Sequence, residues 1–167
     1  SYLRDTIKNP KDVTSKLDTR LLGSIYHEKK SKSIKLRKKK EFVSMLISNP
    51  LRSFQYAESN KMMSSRVRSY MDKENAKTLL VTSVMENEGK STVAANLALG
   101  LAQEGSRVML IDCDFRKPAQ YKIFDMEGKD ADDLGKVLTG KAGTENLICN
   151  WNDTNLYMIL NRTSSNS

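Results

Sequence analysis

The chain has 167 residues, enough for one domain with its own hydrophobic core, and a formal net charge of +8. Residues 1–60 carry 14 Lys/Arg and 6 Asp/Glu, whereas residues 61–167 carry 14 of each. The basicity is therefore local to the leading segment, and the whole-chain charge makes no case for specific nucleic-acid binding. Cys113 and Cys149 form no CxxC pair and His27 stands alone, which excludes a clustered zinc site and fits a reduced, cytosolic compartment.

No run approaches the ~18 apolar residues of a transmembrane helix, and no signal peptide is recognisable. The chain opens on Ser1 and closes on "NRTSSNS" without a terminating element, and it reads as a piece of a longer protein.

In chain order, "PKDVTSKLDTRLLG" predicts a short helix with Pro10 near its start and Gly23 at or after its end. "LLGSIY" predicts a short strand or extended piece. Residues 29–40, "KKSKSIKLRKKK", hold eight Lys/Arg in twelve positions. Such a run is either a solvated linker or a polybasic segment near anionic inner-leaflet lipids, where each charge contributes about 1 kcal/mol. No aromatic residues interleave the charges, so stacking on single-stranded nucleic acid is disfavoured.

"NPLRSFQYAESNKMMSSRVRSYMDKE" predicts a helix of about five to seven turns, with Phe54, Ala57, Met62, Val67 and Met71 sharing a loose face and the methionines packed. "TLLVTSV" predicts a strand. "KSTVAANLALGLAQEG" predicts a helix with Val93, Ala94, Leu97, Ala98 and Leu101 at helical spacing and Gly105 as its stop. "SRVMLIDCD" predicts a buried strand ending in acids. Strand, loop, helix and strand together have the size of a βαβ unit, which builds parallel sheets. "DADDLGKVLTG" predicts a short helix stopped at Gly140, and "NLYMIL" a further strand.

The loop "SVMENEGKST" carries the chemistry. In a phosphate-binding loop of the form G-x-x-x-x-G-K-S/T, backbone N–H groups wrap the phosphates. The lysine reaches the β and γ phosphates, and the hydroxyl binds Mg²⁺. Gly89, Lys90 and Ser91 fill the last three places, and Val84 stands where the first glycine would be. Gly89, Lys90, Ser91 and Thr92 form the loop-to-helix junction, where unpaired N–H groups and the helix dipole attract anions. If the loop needs positive φ before that junction, Asn87 tolerates it better than most residues. Glu86 and Glu88 put two carboxylates beside the site, with side chains expected toward solvent.

The strand "VMLIDCD" ends in Asp112-x-Asp114, and strand carboxyl ends line the ligand crevice of a parallel sheet. Alternation places both carboxylates on one side if the strand continues that far. Near Ser91 they would hold Mg²⁺ through oxygen or water ligands, and one could take a proton from an attacking hydroxyl. The plainer reading is that such acids cap a neighbouring helix.

The combination "VTSVMENEGKSTVAANLALGLAQEGSRVMLIDCDFRKP" resembles the bacterial protein-tyrosine kinases of capsule and exopolysaccharide synthesis, the BY-kinases, P-loop proteins related to the Min and Par partition ATPases. That family's loop commonly reads S-x-x-P-G-E-G-K-S-T, which Ser83, Glu88, Gly89, Lys90, Ser91 and Thr92 match. Glu86 and Asn87 stand at its Pro-Gly. Its second motif, D-x-D-x-R after a strand, matches Asp112, Asp114 and Arg116. The resemblance implies ATP and Mg²⁺ as cofactors. Lys90 would contact the phosphates, Ser91 with Asp112 and Asp114 would handle Mg²⁺, and an Asp would assist deprotonation of the attacking tyrosine. Asn87, Glu88, Gly89, Lys90, Ser91 and Thr92 would form the nucleotide cradle.

The resemblance further implies an α/β, P-loop NTPase-like parallel sheet flanked by helices, incomplete at the C-terminus and with a basic N-terminal extension. Residues 1–48 would be a juxtamembrane-like linker and residues 49–167 the N-terminal part of a tyrosine-kinase domain. Expected partners are ATP/ADP, tyrosine substrates including the protein itself, inner-leaflet lipids, and a membrane chain-length regulator fused upstream or separate. The expected location is the cytoplasmic face of the bacterial inner membrane. A third acidic motif and a tyrosine-rich tail are expected beyond Ser167, so the fragment alone should be inactive. The family's E-x-x-R-x-x-R oligomerisation helix aligns with Glu58, Lys61 and Ser64, of which only the acid is kept outright, so the resemblance does not carry ring assembly over. Two other readings compete: a Min/Par-like switch ATPase and a non-catalytic nucleotide-binding regulator. Partition-type loops usually carry a lysine near the loop's start, and this loop has none before Lys90.

Overall fold

The computed structural model describes residues 7, 9–17, 19–28, 45–126 and 133–162. The polybasic run at 29–40 lies outside the described residues. Helix α1 (Pro10–Lys16) starts where Asn9 and Asp12 form a reciprocal capping box and Pro10 sets the first turn. It ends at the C-cap Leu17, with Gly23 beyond its end. Residues 19–28 form no helix or strand, and they run antiparallel along helix α2 (Phe54–Lys73). Tyr26 N–H donates to Ser59 Oγ at 3.0 Å, Arg66 Nη1 to the Leu22 carbonyl at 3.4 Å, and the Arg20 guanidinium lies 5.0 Å from the Tyr70 ring centre. At the far end Glu28 accepts from the Ser53 N–H and hydroxyl, which holds its carboxyl below the usual range. Ser53 is in turn the N-cap of α2.

Helix α3 (Lys90–Gln103) is the centre of the packing, with Ala95 through Gly100 and Ala102 buried. One side meets α2. The other meets a sheet of β1 (Val108–Ile111), β2 (Ile148–Asn150) and β3 (Leu156–Ile159), in the order β1-β3-β2. β1 and β3 are parallel, with Val108 opposite Leu156 and Ile111 opposite Ile159. β2 is antiparallel to β3, which corrects the all-parallel expectation. The connection from β2 to β3 is a short turn through Asn152 and Asp153, both at positive φ, and so short a link joins only antiparallel strands. Helices α4 (Gln120–Ile123) and α5 (Leu134–Leu138) are single turns, α5 capped by Asp133 and followed by Gly140 at positive φ as expected. Leu99, Met126, Leu156, Met158 and Leu160 are fully buried and mark the core between α3 and the sheet.

Period-2 alternation shows in β1. Val108 and Leu110 face α3, while Met109 and Ile111 are 43% and 48% exposed. The sheet is thus covered on one face among the described residues. "TLLVTSV" does not become a strand. It joins no ladder, and Leu80 and Val84 are exposed. A β-rich run becomes a strand only where a neighbouring edge pairs its N–H and C=O groups, and none of the three strands pairs with this one.

The face of α2 differs from its hydrophobic pattern. Phe54 and Met62 are 76% and 54% exposed, and the buried residues are Tyr56, Asn60, Ser64 and Val67. Small and polar groups fill this seam because α2 and α3 approach closely: an ideal Cβ at Gly100 would lie 2.3 Å from Ser64 Oγ and 2.9 Å from Ser64 Cβ. Gly100→Ala is therefore expected to destabilise despite Ala's better helix propensity. The overpacking costs about 1–3 kcal/mol against about 1 kcal/mol gained. Urea denaturation should show that loss, and Ser64→Gly in the same chain should recover most of it. A Gly100→Ala protein as stable as the parent would show that the helices separate freely.

Candidate nucleotide site

The loop reaches α3 through two left-handed residues. Asn87 has φ 63° and Gly89 has φ 87°. Asn87 thus takes the conformation for which an asparagine suits the position. Gly89 is the N-cap of α3, and no side chain caps the helix there. A Cβ at Gly89 would meet nothing, so the backbone conformation rather than crowding calls for glycine. The first-turn N–H groups of α3 consequently face outward from an uncapped helix start, the arrangement that binds anions.

Both loop carboxylates are exposed, as expected, and each also has a partner. Glu88 Oε2 accepts from the Met85 N–H at 3.0 Å and braces the loop from within. Glu86 Oε2 lies 2.6 Å from Lys117 Nζ, an exposed pair that ties the loop to the turn after β1. Ser83 Oγ donates to the Met85 carbonyl at 2.9 Å.

The two strand-end acids part company. β1 ends at Ile111, so alternation no longer governs Asp112 and Asp114 and they do not share a strand face. Asp112 is buried. Its Oδ1 accepts from Asp114 N–H at 3.1 Å, and its Oδ2 from Ala119 and Gln120 N–H, each at 3.1 Å. Asp112 therefore caps α4 and fixes the turn, as the plainer reading of the sequence had it. Asp114 turns to the loop. Its Oδ2 lies 2.9 Å from Lys90 Nζ, and its Oδ1 accepts from Arg116 N–H at 3.2 Å and Lys117 N–H at 2.9 Å. The Lys117 N–H and then Lys90 hold the Asp114 carboxyl below its ordinary range, and the hydrogen bond to Asp114 pushes Lys90 up. Both groups are charged at neutral pH. The pair's contribution is present above the ordinary Asp range, fades as pH falls through the lowered Asp114 value, and fades again as pH rises through the raised Lys90 value.

Among the described residues no group of three His, Cys, Asp or Glu is placed to hold a metal by itself. A magnesium site of the phosphate-loop kind does not need one, because Mg²⁺ is usually held by one or two protein oxygens plus substrate phosphates. The candidate protein oxygen is the Ser91 hydroxyl at the start of α3, whereas the Asp114 carboxylate is paired with Lys90. Asp112, with both oxygens committed to backbone N–H groups, fits a bracing role better than a direct ligand. Lys90 and Asp114 are brought into contact, and Asp112 braces Asp114 from behind. Sequence reasoning did not find Gln120, whose Nε2 donates to the Ser91 carbonyl at 3.0 Å. Nor did it find Asn161 after β3, whose Nδ2 lies 3.5 Å from the Asp114 carbonyl. No pattern signalled either residue, because each acts through backbone groups distant in sequence.

A glycine-led helix start, a lysine in its first turn and a strand-end acid facing that lysine define a nucleotide-binding domain of the phosphate-loop class. The family model described as CobQ/CobB/MinD/ParA nucleotide binding domain matches residues 79–167, and the chain belongs to that family. Its relatives include the tyrosine-protein kinase YwqD of Bacillus subtilis, 40% identical over 83 residues, which are 50% of this chain and 34% of YwqD. The tyrosine-protein kinase CpsD of Streptococcus agalactiae is 40% identical over 90 residues, 54% of this chain and 38% of CpsD. This chain thus spans well under half the length of either relative in the matched region. Among solved structures, the BceF tyrosine kinase domain superposes with a TM-score of 0.72 at 23% identity, covering 92% of this chain and 61% of that one. The chimerical protein CapA2B2 gives a TM-score of 0.67 at 26% identity, covering 91% and 59%. The α/β, phosphate-loop fold is shared with these domains.

Proposed function

We propose that this chain is the ATP-binding portion of a protein-tyrosine autokinase that regulates capsular or exopolysaccharide synthesis and export. The observation that carries this reading is the Lys90–Asp114 pair at the uncapped start of α3, in a chain whose relatives are named tyrosine-protein kinases. Phosphoryl transfer asks for positioning and charge neutralisation rather than covalent chemistry from the protein. The first-turn N–H groups of α3 and Lys90 would bind the β and γ phosphates. Ser91 and the phosphate oxygens would hold Mg²⁺, which supplies charge neutralisation when bound. As Lys90 shifts to phosphate, Asp114 Oδ2 is released. It then stands as the base that takes the tyrosine proton while the tyrosine oxygen bonds to the γ-phosphorus and the bond to ADP breaks.

The wider setting belongs to the same proposal. The polybasic residues 29–40 suit inner-leaflet lipids at the cytoplasmic face of the membrane. A chain-length regulator, fused upstream or separate, is the proposed membrane partner, and the chimerical make-up of CapA2B2 is in keeping with such a pairing. The test is incubation of the full-length protein with Mg²⁺ and ATP, followed by phosphotyrosine detection on the protein itself. Phosphotyrosine is the expected result. ATP hydrolysis without it would place the protein with the switch ATPases. Neither product would leave only the non-catalytic regulator.

A further inference from the structure

Besides the Lys90–Asp114 and Glu86–Lys117 pairs, one buried side chain joins the acidic turn to the start of α3. Gln120, 5% exposed, is the first residue of α4. Its backbone N–H donates to Asp112 Oδ2 at 3.1 Å, and its Nε2 donates to the Ser91 carbonyl at 3.0 Å. One residue thus spans from the buried acid at the end of β1 to the first turn of α3. Its Oε1 is also buried and has no hydrogen-bond partner among the described residues. A buried acceptor without a donor is a net cost, so a side chain that merely filled this space would do better as Met or Leu.

We infer that Gln120 is a positioning residue of the nucleotide site. Its amide N–H holds Ser91 in register with Asp112. Its Oε1 accepts from a water or hydroxyl that enters with the nucleotide and its cation. The inference rests on the reading that Ser91 serves a Mg²⁺–ATP complex. Groups that orient a metal's ligands typically contribute 10–100-fold to metal affinity.

The test is calorimetric titration of ATP into the full-length protein, once with Mg²⁺ and once with EDTA. The proteins compared are wild type, Gln120→Met and Gln120→Glu. Gln120→Met keeps the volume and removes both polar groups, and it should weaken ATP binding about 10–100-fold with Mg²⁺ and by no more than about twofold in EDTA. Gln120→Glu keeps the shape and the acceptor but cannot donate when ionised, and it should also lose the Mg²⁺-dependent part. Thermal melts identify any variant that fails to fold, in which case the other variant decides. Undiminished Mg²⁺-dependent affinity in a folded variant would overturn the inference while leaving the nucleotide reading intact. An equal loss in both conditions would reduce Gln120 to packing and overturn it as well. If wild type binds no ATP in either condition, the nucleotide reading falls and this inference with it.

Discussion

Lys90→Ala in the full-length protein is expected to lower nucleotide turnover by about 10²–10³-fold, the usual cost of deleting one preorganised donor from a charge-stabilising site. The loss has two sources. The ammonium group that would neutralise the phosphates is gone. Asp114 also stays behind without its cationic partner 2.9 Å away, so a carboxylate faces the incoming phosphates uncompensated. Asp114→Asn separates the two effects. It releases Lys90 and removes the repulsion, so ATP binding in EDTA should hold or tighten, while turnover should fall because the proposed base is lost. Radiometric transfer assays and nucleotide titrations on both variants provide the check. A Lys90→Ala protein with unchanged turnover would sink the kinase assignment.

The second large effect lies in the seam beneath the site. Asn96 is fully buried on α3. Its Oδ1 accepts from Ile47 N–H at 2.8 Å, and its Nδ2 donates to the Met45 carbonyl at 3.0 Å and to Tyr56 Oη at 2.9 Å. Tyr56 Oη donates to the same Met45 carbonyl at 2.9 Å. One amide thus fastens the turn at 45–47 and α2 to the helix that carries Lys90. Asn96→Leu is close in volume but strands the part-buried Ile47 N–H, and it should cost about 2–4 kcal/mol of stability. In a chain of this size that lowers the melting temperature by roughly 5–15 °C. Tyr56→Phe leaves the Asn96 bonds to Ile47 and Met45 in place and should cost only about 1 kcal/mol. Equal melting temperatures for Asn96→Leu and the parent would mean that the network contributes nothing net.

Local chemistry was legible from the residues alone. Gly89, Lys90 and Ser91 had to sit at a helix start, because the periodic "STVAANLALGLAQ" that follows can only be a helix packed on an apolar surface. Asn87 was suspected of positive φ because few other residue types tolerate it, and it has φ 63°. Gly105 and Gly140, both left-handed, ended their helices where expected. These features depend on a residue and its immediate neighbours, so the sequence determined them.

What depended on partners far along the chain was decided only by the tertiary structure. The packed face of α2 is Tyr56, Asn60, Ser64 and Val67, of which the hydrophobic pattern selects only Val67, because close approach to Gly100 rewards small and hydrogen-bonding groups over large apolar ones. "TLLVTSV" has the composition of a strand, yet a strand exists only where another edge accepts its hydrogen bonds. Asp112 and Asp114 look equivalent in "DCD". The end of β1 at Ile111 sends one carboxylate to three backbone N–H groups and the other to Lys90. Gln120 carries no motif at all, and its place between Asp112 and Ser91 follows from where α4 lands against α3. Sequence specifies which groups a residue offers, and the fold alone settles which of them meet, because hydrogen bonds act over about 3 Å and the chain brings distant residues to that range only by packing.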